Sequence, residues 1–290
     1  MKVVLRVFCM LIISLHAYGD IRVISLSPNT TEIVHELIQL VPESKTRLIA
    51  SIHYPGAPDY YQQLERIGNF QSLNLEKILH LQPDIVVSWQ GQTPVKAIAL
   101  LRRFGIKVVI FHADHLTELA SAFEKIADAI GLKKAGRVLS ARFDHKLQRL
   151  LDKKHAGNSK RPSVFLQLSQ RPIFTVGGVG ILNEVLELCG GRNLFGDINR
   201  RSFEVDLSAV LRRNPDVIIG LWGCHQKKRP FCVNQYMWQR WPMLRAVKTA
   251  QVYALSEGVL SQLSPKIIVG IQAVCDILQN ASERQYNQGI

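Results

Sequence analysis

Acidic residues are scarce in this sequence: 23 Asp and Glu stand against 36 Lys and Arg, a formal charge of +13 over 290 residues. Low-complexity tracts are missing, so composition gives no reason to expect disorder. Beyond residue 19 no segment offers eighteen consecutive apolar residues, so none reads as a membrane-spanning helix. No GxSxG elbow, Walker loop, HExxH or GxGxxG occurs, which leaves the common hydrolase, nucleotide and metalloprotease chemistries without their signatures. "VGGVG", Val176 to Gly180, is glycine-rich but matches no phosphate fingerprint and reads as a turn. CxxC and Cys/His zinc patterns are missing too. So are the base-reading motifs of nucleic-acid binders. The positive excess therefore reads as a solvated basic surface, with anionic lipid or nucleic acid as the partners it would otherwise suit.

What is present begins with a leader. Lys2 and Arg6 precede the short apolar run "VFCMLIISL", and small residues at Ala17 and Gly19 close it before Asp20. This charged, apolar, small order is that of a cleaved secretory signal peptide spanning 1–19. The alternative is an uncleaved anchor, but the run is short for a stable span. Cleavage removes two cations and no acid, leaving a charge of +11. The mature chain is expected to be exported.

Four cysteines remain: Cys189, Cys224, Cys232 and Cys275. An even count in an exported chain points to disulfides, with three pairings open. Cys224 and Cys232 flank the polar loop "HQKKRPF" and can clip a hairpin, which would leave Cys189 with Cys275.

The most informative pattern is a repeat. "LNLEKILHLQPDIVVSWQG" starts at Leu73 and "VDLSAVLRRNPDVIIGLWG" at Val205, 132 positions later. In each, a capping residue (Asn74, Asp206) precedes an apolar helical stripe. A Pro-Asp pair then stops the helix, and a β-branched run follows as a buried strand. A helix feeding a buried strand is a unit of a parallel α/β sheet. Matching surrounds, "RVISLSP" then "NTTEIVHELIQL" and "SVFLQLS" then "GILNEVLELCGG", imply two copies of one α/β domain. Between them Lys133 to His155 places Leu139, Phe143, Leu147, Leu150 and Leu151 at helical spacing, about 33 Å of helix. It reads as a bridge between lobes, with a peripheral helix of the first lobe as the alternative. Gly136 is its weak point. The expected domains are a first lobe over 20–132, a linker helix over 133–160 and a second lobe over 161–290.

These segments carry a resemblance. "RVISLSPNTTEIV", "IGNFQSLNLEKILHLQPDIVVSW", "PIFTVG", "LNEVLELCGGRNLF" and "LSPKIIVGIQAVCDIL" resemble, in order and over nearly the whole mature chain, the periplasmic cobalamin-binding proteins of ABC importers. The resemblance implies an α/β fold of two Rossmann-like lobes joined by a long bridging helix, with a ligand cleft between them. It implies a monomer that captures cobalamin or a related corrinoid and hands it to an inner-membrane permease, with no catalysis and no resident cofactor. Haem and ferric-siderophore binders share the fold and are the alternative. An exported enzyme or sensor on the same lobes is the second class. The resemblance also implies the Cys189–Cys275 disulfide; the 224–232 pair is outside it.

By the same resemblance, Tyr54, Phe70, Trp89, Phe174 and Phe203 fall at or near the cleft, where aromatic faces would hold a flat guest. Phe70 and Phe203 replace tryptophans that the family commonly shows. Trp89 ends a strand, where α/β ligands bind, and Gln90 and Gly91 suit a close polar approach. "SEGVLSQLSPK" departs from the family's acidic, aromatic and basic pattern, and Glu257 is the expected substitute. In the family one glutamate per lobe docks on the permease. Glu76 occupies the first position, while the repeat puts Ser208 at the second, with Glu204 and Asp206 nearby. His53 and His112 are candidate approaches to a cobalt or haem iron, and ordinary surface histidines otherwise.

Overall fold

A computed structural model describes residues 20–54, 57–69, 72–153, 161–221, 236–256 and 258–287. The leader, Phe70, Cys224, Cys232 and Glu257 lie outside these residues.

The first lobe opens with β1 (Ile21–Ser25) and α1 (Pro28–Gln39), followed by β2 (Thr46–Ser51), a 3-10 turn (Asp59–Gln63) and the two-residue β3 (Glu65–Arg66). Then come α2 (Leu75–His80), β4 (Ile85–Trp89), α3 (Val95–Arg103), β5 (Val108–Phe111) and α4 (Leu116–Ala129). Its sheet has the order β3-β2-β1-β4-β5, and every pair is parallel. All five residues of β4 are buried, as a strand covered on both faces must be.

α5 (Lys133–Lys153) leads to the second lobe as one unbroken helix. Leu139, Phe143, Leu147 and Leu150 are buried along one stripe, and Phe143 meets Phe123 of α4 edge-on at 5.2 Å. Gly136 is not a weak point. A Cβ there would sit 2.5 Å from Ala127 Cβ, so the glycine lets α4 and α5 approach closely.

The second lobe comprises β6 (Ser163–Gln170), β7 (Ile173–Val176), α6 (Ile181–Leu188), β8 (Arg192–Asn193), β9 (Ser202–Glu204), α7 (Leu207–Arg213) and β10 (Val217–Leu221). It continues with α8 (Tyr236–Gln239), α9 (Arg245–Lys248), β11 (Val252–Leu255), α10 (Gly258–Ser261) and α11 (Ile267–Asn287). The sheet order is β11-β10-β6-β7-β9, with β8 beside β6. Unlike the first sheet, the second is mixed: β7 folds back antiparallel on β6 and pairs antiparallel with β9. The described part of "NQYMWQRWPML", residues 236–244, holds the short helix α8, and α9 follows it.

The repeat has a physical core at its Pro-Asp step. Gln82 and Asn214, equivalent positions, both take positive φ (43° and 46°), which turns the chain out of the helix before the proline. The aspartate then ties its strand to the neighbour. Asp84 accepts the N–H of Arg22 at 2.7 Å and returns its own N–H to Arg22 O at 3.0 Å. Asp216 does the same to Ser163, at 2.8 and 3.0 Å. Each unit thus sets its strand beside the lobe's first strand. Capping is less uniform: Asn74 accepts from Lys77 N–H at 2.9 Å, whereas Asp206 stands at the cap position without a side-chain hydrogen bond.

One apolar core runs through both lobes. Val87 and Trp89, the inner faces of α1, α4 and α5, and Val185, Ile219, Ile271 and Val274 belong to one continuous cluster. Cys189, which follows α6, is disulfide-bonded to Cys275 of α11, within the second lobe.

Candidate ligand-binding cleft

The C-terminal ends of the first sheet's parallel strands form the rim at which α/β folds generally bind ligands. After β1 the chain turns through Leu26 and Ser27 into α1. Ser27 caps that helix, accepting from Thr30 N–H at 3.3 Å, and also accepts the Trp89 N–H at 3.2 Å. Ser25 and Thr30 hydroxyls meet at 2.6 Å, Thr31 donates to Ser25 at 2.8 Å, and Ser88 and Thr93 hydroxyls meet at 2.6 Å. Thr93 donates on to Leu26 O at 3.2 Å. These buried hydroxyls satisfy one another and clamp the β4 turn to the β1 turn. Gln90, Gly91 and the neighbouring His112 are exposed on this rim. Gly91 has φ 78°, which only glycine adopts without strain. Trp89 itself is 5 % exposed and packs into the shared core, so most of its indole serves the fold.

Tyr54 follows β2, is 9 % exposed, and packs edge-on against Tyr61 at 5.4 Å. Its hydroxyl accepts from Gln262 Nε2 of the second lobe at 3.0 Å. Burial pushes the Tyr54 phenol up, so it stays neutral. His53 beside it is exposed. Two more contacts cross here. Leu263 N–H donates to Asn29 Oδ1 at 3.2 Å, and Lys266 forms an ion pair with Glu32, which is 1 % exposed. Tyr60 stacks on His35 at 3.5 Å, and burial raises its phenol and lowers that imidazole.

On the other flank, beyond β5, Asp114 and His115 meet Arg201 and Glu184 of the second lobe. Tyr54 follows β2, and Asp114 and His115 follow β5, on either side of β1 and β4 in the sheet order. They bracket Ser27, Trp89, Gln90 and Gly91.

The remaining sites expected from sequence are placed as follows. Phe174 pairs with Glu204 and Thr175 with Phe203 in the β7–β9 register, so Phe174 and Phe203 project from opposite faces of the sheet. They do not share one wall. Phe203 packs edge-on to Phe195 at 5.7 Å and lines a depression of about 390 Å³ with Glu204, Asp206, Arg212 and Arg213. That depression is lined by second-lobe residues alone. Glu76 is exposed in the first turn of α2, and Ser208 is exposed in the first turn of α7. Among the described residues, no group of three or more His, Cys, Asp or Glu is placed to hold a metal ion.

Sequence reasoning assigned no role to Asn29, Glu32, Gln262 or Lys266. One signal was available: Glu32 interrupts an otherwise uncharged helix start, "PNTTEIV", where a solvated face would carry more charge.

Two α/β lobes joined by one long helix, with polar contacts crossing between them, have the architecture of a substrate-binding protein. The family described as periplasmic binding protein matches residues 23–258, and the chain belongs to it. A vitamin B12-binding protein of Photorhabdus laumondii is 33% identical over 273 residues, covering 92% of this chain and 90% of that one. The structure of the periplasmic vitamin B12-binding protein BtuF of Vibrio cholerae superposes with a TM-score of 0.76 at 30% identity, covering 90% of this chain and 97% of that one. The periplasmic heme-binding protein HutB of Vibrio cholerae superposes with a TM-score of 0.73 at 19% identity, over 90% and 99% of the two chains, and shares the fold.

Proposed function

We propose that this protein captures cobalamin or a related corrinoid in the space between its lobes and delivers it to the permease of an ABC importer. The observation that carries this reading is the identity of about 30% or more, over nine-tenths of the chain, to proteins named for vitamin B12. The heme-binding neighbour falls to 19%. The site supports the same choice. Its described rim offers neutral groups, Tyr54, Gln90, Gln262 and the half-buried Phe174, which suit a bulky, flat guest with amide edges. Phe70 and Glu257 are proposed to complete it. The protein acts by stoichiometric binding, as a monomer in the periplasm, after removal of residues 1–19. The lobes are proposed to span 20–132 and 161–290, with the linker between.

Docking on the permease is proposed through Glu76 of the first lobe. In the second lobe, where Ser208 has no charge to offer, Glu204 and Asp206 take its place. Both are exposed on the rim of the 390 Å³ depression, beside an apolar floor of Phe195 and Phe203. A haem reading is favoured only by His53 and His112, both exposed and both following strands of the first sheet. Equilibrium dialysis of the mature chain against cyanocobalamin, cobinamide, haemin and a ferric siderophore tests the choice. Retention of the corrinoids alone is expected; retention of haemin alone overturns it.

A further inference from the structure

We infer that His115 and Glu184 form a proton-sensitive tie between the two lobes, one that tightens as the surrounding pH falls. The residues come from different lobes. His115 stands at the N-cap of α4, and Glu184 lies in the first turn of α6. The two oxygens of Glu184 do different work. Oε1 meets His115 Nδ1, and Oε2 accepts the N–H of Leu116 at 2.8 Å. That N–H is one of the donors a helix start leaves without an internal partner. A carboxylate there is also favoured by the helix dipole. A residue of the second lobe therefore caps a helix of the first.

The other charges around His115 are accounted for. Glu118 of α4 accepts the N–H of Asp114 at 2.7 Å and that of His115 at 3.4 Å. Asp114 precedes the helix and accepts from Arg201 of the second lobe at 2.5 Å. The imidazole thus faces three carboxylates, and the guanidinium is engaged by one of them. Protonation converts the hydrogen bond from a neutral imidazole to the carboxylate into an ion pair. The side chains of His115 and Arg201 are 61% and 66% exposed, so the tie answers to the bulk pH.

The direction follows from linkage. The hydrogen bond to Glu184, then the charge of that carboxylate, raise the imidazole above its ordinary 6.5. The tie is then fully present below 6.5 and is lost as pH rises through the raised value. On the opposite flank the charged tie is the Glu32–Lys266 pair, whose carboxylate is buried. The flank beyond β5 is the one that yields, by a small amount, because one apolar core continues through both lobes.

The test measures lobe separation directly and needs no ligand. Spin labels are placed at Val95 and Met243, both well exposed and in different lobes, through a bio-orthogonal amino acid that spares the disulfide. Pulsed dipolar distances are then compared at about pH 5.5 and about pH 8.5, on either side of the histidine titration. The wild-type distribution should be narrower and shorter at the lower pH. Glu184→Gln keeps an acceptor for Leu116 N–H but removes the charge, and should show no pH response. His115→Gln should behave likewise. Arg201→Gln leaves the His115–Glu184 pair intact and should keep the response. A wild-type distribution unchanged with pH, or a response that survives Glu184→Gln, overturns the inference.

Discussion

In the first lobe every strand pair runs parallel, whereas the second turns back on itself at β7, although both are built on one repeated helix-Pro-Asp-strand unit. The outer cores differ in the same sense. The first lobe's is aliphatic, from Ile24, Ile67, Ile78 and Val86. The second lobe's is aromatic, from Phe165, Phe195 and Trp238, with the Trp238 indole donating to Gln167 Oε1 at 2.8 Å. The repeat has kept what fixes strand order, the positive-φ residue and the bridging aspartate. It has diverged where an outer face only has to be filled. The lobes' edges have diverged too: one interlobe flank holds a buried carboxylate and the other an exposed imidazole.

That contrast can be broken from either side, and the largest effects should come from the buried groups. Lys266→Met leaves Glu32 buried and unpaired, and should cost about 3–5 kcal/mol in denaturant unfolding. Arg245→Met, which removes the ion-pair partner of Asp216 at 3.0 Å but leaves that carboxylate its bonds from Ser163, should cost about 1 kcal/mol. Equal losses would erase the difference between buried and surface pairs. Trp238→Ala empties a fully buried site and should cost about 3–5 kcal/mol; a smaller loss would mean the aromatic core collapses around the gap. Replacing Cys189 and Cys275 by serine opens a loop with ends 86 positions apart and should cost about 4 kcal/mol. The equivalent aspartates are then compared directly. Asp216→Asn should destabilise more than Asp84→Asn, each by about 1–3 kcal/mol, because Asp216 also accepts the Ser163 hydroxyl at 2.6 Å. Smallest is docking: Glu76→Ala should weaken permease association about two- to five-fold, and Ser208→Glu should strengthen it by a similar factor. Both would be read as the protein concentration giving half-maximal transporter ATPase activity.

Much of this architecture was legible because its signals are local. The Pro-Asp step, the β-branched runs and the stripe from Leu139 to Leu150 report on backbone and burial within a few residues of each other. The hairpin at β7 was missed because "PIFTVG" has the composition of any buried strand, and direction leaves no mark on composition. Gly136 was misread for a related reason: its value lies in the approach of Ala127 on the preceding helix, which the composition of α5 alone does not show. Resemblance placed both Phe174 and Phe203 at or near the cleft without saying how they face, and the β7–β9 register puts them on opposite faces of the sheet. The interlobe contacts join residues as far apart as Asn29 and Leu263, and no spacing rule spans that distance.

The central claim is that a corrinoid is held between the lobes. Calorimetric titration of residues 20–290 with cyanocobalamin, run beside haemin, tests it most directly. One-to-one binding of micromolar affinity or tighter, weakened by Gln262→Ala across the Tyr54 bridge, is the expected result. Saturable heat with haemin and none with cyanocobalamin would contradict it.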